Sequence, residues 1–359
     1  MGMRRSGFLP RRVVQVHLLE RCNLRCSHCY SSSGPSAAGG LPSTELVERL
    51  VVLRGEGYEE IALSGGEPLM YGDLELVLES AAELGFSTSL ITNGTVVTKK
   101  RAAALAQFGT RVAVSIDGRP PTHDRQRGEG SFHRAMNGAA RLEVGGVSWG
   151  LAHCVTRPTL PDLPWLADLA VSRGARILQI RPLINVGRAR RLRDGLDFDE
   201  RQRVFAIAQL LQVAHEGDLR IQCDLAPASA LLEDAELHGV LRRPHAFGVR
   251  HSLSDLVNPL VMDADGSLWP LAYGIADEQR IAGPNDWRSA IESYVEDGWR
   301  SLAMLLRRTF RQLAPDDATD WYAAAVEASR HRSLPLARGQ VEHGSDTPSR
   351  SQHVAPGER

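Results

Sequence analysis

Lysine is almost absent from this chain: of 359 residues only Lys99 and Lys100 carry it, and the remaining basic charge is arginine. With 42 basic and 43 acidic residues the formal net charge is −1, so no global field draws the protein to nucleic acid or to an anionic membrane. No apolar run reaches the roughly 18 to 20 residues that a membrane helix needs. The arginine-bearing start, Arg4, Arg5, Arg11 and Arg12 around Gly7-Phe8-Leu9-Pro10, lacks the apolar stretch of a secretory signal. Aromatics are few, yet 43% hydrophobic residues over this length supply a core for one large or two medium domains. Whole-chain disorder, collagen and a small disulfide scaffold are excluded. The expectation is a cytoplasmic protein with no nucleic-acid or membrane partner.

Cysteine is scarce and unevenly placed. There are five, an odd number; Cys22, Cys26 and Cys29 fall within eight residues, and none follows Cys223. In a reducing compartment such clustering favours metal ligation over disulfides. The segment Glu20-Arg21-Cys22-Asn23-Leu24-Arg25-Cys26-Ser27-His28-Cys29-Tyr30 gives C-x3-C-x2-C. Zinc usually takes four ligands from two separated pairs, and here only His28 is near, adjacent to Cys29 and poorly placed for the same ion. A four-iron cubane held by three cysteines keeps one iron open, as a catalytic site requires. A non-catalytic zinc protein stays as the alternative.

The first two thirds alternate strands and helices. Strands are expected at 12–19, 61–63, 86–92, 111–116, 147–156 and 176–180. The helices between them include one carrying Leu46, Leu50 and Leu53 behind the candidate cap Ser43, one presenting Leu74, Val77, Leu78 and Ala81, and others near 98–107, 131–144 and 162–172. Six such units predict parallel strands with right-handed crossovers: a partial (β/α)6 barrel, with a doubly wound sheet as runner-up. After Arg193 the rhythm changes. A helix at 199–214, a strand at 219–223, a hairpin at 260–269 turning on Asp265-Gly266, and helices at 286–313 and 316–329 are expected, with a disordered tail from 335. The domain reading is an N-terminal segment 1–12, a core barrel 13–225, an α+β C-terminal region 226–334 and the tail 335–359.

The cysteine loop resembles the signature of the radical S-adenosylmethionine (radical SAM) superfamily, and Cys-Asn-Leu-Arg-Cys-Ser-His-Cys-Tyr resembles its peptide-modifying, SPASM-associated branch. Three further segments carry the resemblance: Ser64-Gly65-Gly66-Glu67-Pro68, Leu90-Ile91-Thr92-Asn93-Gly94-Thr95, and Val114-Ser115-Ile116-Asp117-Gly118 followed by His123-Asp124 and Arg127. The resemblance spans about Val13 to Asn185 and implies one [4Fe–4S] cluster on Cys22, Cys26 and Cys29, whose open iron is chelated by the amino and carboxylate groups of S-adenosylmethionine. It also implies the cofactor contacts. Gly65 and Gly66 let backbone approach the methionine moiety, Glu67 and nearby carbonyls suit its amino group, and Ser115 and Arg127 suit its carboxylate. His28 is placed near the adenine, and Asn93 belongs to the third-strand motif. The implied chemistry is reductive cleavage to methionine and a 5′-deoxyadenosyl radical that abstracts hydrogen from a substrate, with a flavodoxin- or ferredoxin-type reductant.

The resemblance implies a ribosomally made peptide or related natural-product precursor as substrate; small-molecule or cofactor biosynthesis is the alternative. No leader-binding domain is visible ahead of Val13, which keeps that alternative open. Branch members carry auxiliary clusters near a hairpin Asp-Gly-x-x-x-Pro-Cys. Here Asp265-Gly266-Ser267-Leu268-Trp269-Pro270 ends in Leu271, so a single cluster and a degenerate C-terminal region closing the barrel are expected. His123, Asp124 and His153 read as structural, Cys154 and Cys223 as spare thiols. Gln179 and Arg181 are expected either to line the cavity or to pair, and the run Arg188, Arg190, Arg191, Arg193 to form a solvated or structural loop.

Overall fold

The computed structural model describes residues 11–192, 219–223, 225–227, 251–313 and 318–330. The helix expected at 199–214, the tail and most of the N-terminal segment lie outside them.

Strands β1 (Val13–His17), β2 (Glu60–Ser64), β3 (Ser87–Thr92), β4 (Arg111–Ser115), β5 (Trp149–Val155), β6 (Ile177–Pro182) and β7 (Arg220–Cys223) pair in sequence order, every pair parallel. A doubly wound sheet reverses its strand order at a switch point. This order never reverses between β1 and β7, so the runner-up falls and the α/β partial-barrel arrangement stands. The strands are apolar because such a sheet is covered on both faces: Val14, Val16, Ile61, Leu63, Leu90, Val114, Leu151, Leu178 and Ile180 are all within 1% of complete burial.

The crossovers are α1 (Ser43–Gly55), α2 (Leu74–Glu83), α3 (Lys99–Gln107), α4 (Pro120–Arg127), α5 (Ser131–Val144) and α6 (Leu163–Ser172). Leu46, Leu50 and Leu53 of α1 and Leu74, Val77, Leu78 and Ala81 of α2 are buried, as their spacing dictates. Ser43 is not the cap of α1. Pro42 occupies that position, and the Ser43 hydroxyl donates instead to Asp73 Oδ2 at 2.8 Å. Helix α4, which begins on Pro120-Pro121, carries no apolar stripe and was invisible to periodicity.

Strands β8 (Leu225–Pro227) and β11 (Ala318–Asp320) form a separate antiparallel pair. The hairpin strands β9 (Leu260–Met262) and β10 (Leu268–Pro270) continue the main sheet, β9 lying parallel to β1 with Val14 opposite Leu260. The C-terminal hairpin is thus an extension of the barrel wall. The single helix expected at 286–313 is two, Trp287–Ser293 and Trp299–Gln312, joined through a wide turn at Tyr294–Gly298. The last described helix is Trp321–Arg330.

Candidate functional site

Because β1 to β6 run parallel, their C-terminal ends share one edge, the usual seat of chemistry in such barrels. The loop leaving β1 carries the three cysteines. Cys22 and Cys26 are buried, Cys29 is half-buried, all three thiols are free, and Leu24 packs among them. Burial pushes the Cys22 thiol up to about 11; it raises Cys26 too, against the opposing charge of Arg127. Burial thus favours the protonated form of these two thiols, and a metal that binds them must displace the protons. A cubane takes one thiolate on each of three irons, and three soft donors on one short loop fit it.

The loop is held from three sides. Gly66 N–H donates to Leu19 O at 2.6 Å and Glu67 N–H to Arg21 O at 3.0 Å. A Cβ on Gly66 would stand 2.1 Å from Arg21 O, and one on Gly65, where φ is +112°, 2.6 Å from Leu19 O. This corrects the sequence-based reason for the two glycines: the space a side chain would fill is occupied by the backbone of the cysteine loop. Asn93, at the end of β3, donates from Nδ2 to Asn23 Oδ1 at 2.9 Å and to Cys22 Sγ at 3.7 Å, while Thr95 bonds to both asparagines. After β6, Gly187 sits where a Cβ would lie 2.2 Å from Tyr30 O, and Arg188 donates from N to Cys29 O, from Nε to Cys26 O and from Nη1 to Ser32 O.

Glu67 is fully buried and fully used. Its carboxylate accepts from Thr92 Oγ1 at 2.6 Å, Asn93 N at 2.8 Å and Leu69 N at 3.1 Å. Burial raises its pKa to about 6 against those bonds. The expectation that Glu67 meets an amino group is not supported, because the carboxylate instead ties the ends of β2 and β3 together.

In the sequence Asp117 stood out only as part of the fourth-strand segment, with no role of its own. Asp117 is instead the hub of the site. Buried completely, its Oδ2 lies 2.5 Å from Arg127 Nε and 3.0 Å from His28 Nε2, and its Oδ1 accepts from Cys154 N at 3.0 Å. Burial would raise its pKa, but Arg127 and then His28 outweigh that and hold it well below the usual value. His153 Nδ1 donates to Ile116 O at 3.0 Å and lies 3.8 Å from Asp117 Oδ1. The carboxylate thus connects the cysteine loop through His28, α4 through Arg127, and β5. Nε of Arg127 being committed, Nη1 and Nη2 have no hydrogen-bond partner among the described residues and are not sealed from solvent. The Ser115 hydroxyl likewise has none.

Other candidates have structural work. His123 accepts from Asp117 N at 3.1 Å, and burial lowers its pKa to about 4, so it is neutral. Asp124 accepts from Gly130 N, Ser131 Oγ and Phe132 N, closing the first turn of α5. Gln179 pairs with Gln222 of β7 at 3.2 Å.

Residues 16–167 match the sequence model described as the Radical SAM superfamily. The chain is 32% identical over 209 residues to the Fe-coproporphyrin III synthase of Methanosarcina barkeri, covering 57% of this chain and 52% of that protein. It is 30% identical to the sporulation killing factor maturation protein SkfB of Bacillus subtilis, covering 56% and 50%. The chain spans about half the length of these curated relatives. A solved structure of anSMEcpe with bound AdoMet has the same fold, with TM-score 0.63 at 16% identity over 89% of this chain and 92% of that one. The superfamily is one that uses a [4Fe–4S] cluster and S-adenosylmethionine. Among the described residues no helix is long and apolar enough to cross a membrane.

Proposed function

From the premise that the chain carries a radical SAM domain, we propose that it is an enzyme holding one [4Fe–4S] cluster on Cys22, Cys26 and Cys29 and cleaving S-adenosylmethionine reductively. The observation that carries the reading is the convergence at one sheet edge of a three-cysteine loop with a guanidinium, Arg127, whose outer nitrogens are uncommitted. When bound, the cluster supplies the electron that splits the sulfonium into methionine and a 5′-deoxyadenosyl radical.

The chain's own residues prepare that event. Asp117 holds Arg127 by its Nε edge, so Nη1 and Nη2 present a fork suited to the methionine carboxylate, with the Ser115 hydroxyl beside the same strand end. His28, anchored on Asp117, stands between Cys26 and Cys29, where the adenine is expected. Asn93 steadies the Cys22 thiolate, and Gly65 and Gly66 leave the loop its path across β2. No cysteine follows Cys223, so the C-terminal region has no thiolates for a second cluster. It is proposed to close the barrel through the hairpin fused to β1. The reading assigns the protein to the reducing cytoplasm, with a flavodoxin or ferredoxin as electron donor.

The proposed substrate is a ribosomal peptide or related natural-product precursor, in keeping with SkfB, a maturation protein of a killing factor. A second reading, a tetrapyrrole or other small molecule, is favoured by the likeness to a coproporphyrin synthase. The test is anaerobic reconstitution. About 4 irons per chain and 5′-deoxyadenosine formed with dithionite are expected; colourless protein with stoichiometric zinc refutes the reading. Incubation with a short peptide encoded beside the gene and, separately, with an iron porphyrin then decides the substrate by which one changes mass.

A further inference from the structure

Arg188 is over-engaged for a loop arginine. Its backbone N–H donates to Cys29 O at 3.0 Å, its Nε to Cys26 O at 2.8 Å and its Nη1 to Ser32 O at 2.7 Å. The residue before it, Gly187, has φ +58° and no room for a Cβ against the Tyr30 and Cys29 carbonyls, so this close approach of backbone to loop is built into the chain. One donor remains. Nη2 is sealed from solvent and bonds to nothing among the described residues. Nε and Nη2 lie on the same edge of the planar fork, so Nη2 faces the side on which Nε already meets Cys26.

A buried guanidinium nitrogen without an acceptor is costly unless a ligand supplies one. We propose that Arg188 is a positioning residue for the iron–sulfur cluster, its Nη2 donating a hydrogen bond to sulfur on the Cys26 side and its charge favouring the reduced state. Hydrogen bonds to the sulfurs and local charge are the levers by which a protein sets the potential of such a cluster. The inference rests on the proposed cluster and adds a role for a residue after β6, outside the cysteine motif.

The experiment uses the full chain loaded anaerobically with iron and sulfide. Wild type, Arg188→Lys and Arg188→Gln are reduced stepwise without S-adenosylmethionine and followed by the paramagnetic signal of the cluster. Arg188→Gln is expected to make reduction about tenfold less favourable, which for a one-electron couple is 59 mV. Pulsed paramagnetic resonance on wild type carrying 15N-guanidinium arginine is expected to show a nitrogen coupling that Arg188→Lys lacks. A purely structural clamp would lower iron content yet leave the potential of the clusters that do form unchanged. That result, or labelled wild type with no arginine coupling, overturns the inference. Should Arg188→Gln fail to load, labelled wild type and Arg188→Lys still decide it. Wild type that binds no cluster refutes the proposed function itself, a distinct outcome.

Discussion

Oδ2 of Asp117 lies 2.5 Å from Nε of Arg127, both residues inside the protein. Replacing Asp117 with Asn leaves a buried guanidinium without its counter-charge, for which the expected loss of stability is about 3–5 kcal/mol. The sign with pH follows from the depressed carboxylate. Its stabilisation is complete above its ordinary value of 3.8 and is lost as pH falls below that. Denaturant unfolding of the apo-protein should show a flatter acid limb for D117N than for wild type.

Arg127→Lys keeps a charge beside Asp117 but lacks the fork. Iron content should stay near the wild-type level while S-adenosylmethionine binds more weakly, by about 1.5–3 kcal/mol if a charge-assisted bond to the carboxylate is lost. Calorimetric titration of loaded protein measures it, and an unchanged affinity would move the carboxylate contact elsewhere.

Glu67 gives the opposite pH trend. Its folded pKa of about 6 exceeds its ordinary 4.5, so the folded state holds the proton more tightly and this residue's contribution to stability falls as pH rises through that window. Glu67→Gln removes that trend. It also sets an amide N–H against one of three donors now received, a net loss of about 1–3 kcal/mol at pH 7. Unfolding both proteins at pH 5 and pH 7 separates the two effects.

Gly66→Ala and Gly187→Ala each force a methyl group to about 2 Å from a carbonyl of the cysteine loop, that of Arg21 before the first cysteine and that of Tyr30 after the last. Both variants should fold with their secondary structure retained yet lose most of their bound iron. Circular dichroism and iron analysis on the same samples check this. Full iron content in either would mean the loop yields at no cost.

Much of this was legible in the residues. The period-3.6 leucines of α1 and α2 and the β-rich runs gave the strand order, since sequential parallel units leave few topologies. Cys22, Cys26 and Cys29 announced themselves by spacing. What stayed hidden was long-range: Asp117 has no assigned role until folding brings His28, Arg127 and His153 around it. Arg188 was one of several arginines in a run read as a solvated or structural loop, and only the path of the chain after β6 sets it against Cys26 and Cys29. Helix α4 escaped because its polar residues have no period to read.

The pairing of β9 with β1 has a consequence for how the chain is made. His17 and Asp263, joined at 3.3 Å, are 246 residues apart. During synthesis at about 5–20 residues per second, the outer edge of β1 waits many seconds for its neighbour. For that interval its hydrogen-bonding groups face the open, the circumstance in which strands recruit the wrong partner. The ribosome-bound intermediate is then the species most exposed to aggregation, and the hairpin that completes the sheet also ends its vulnerability.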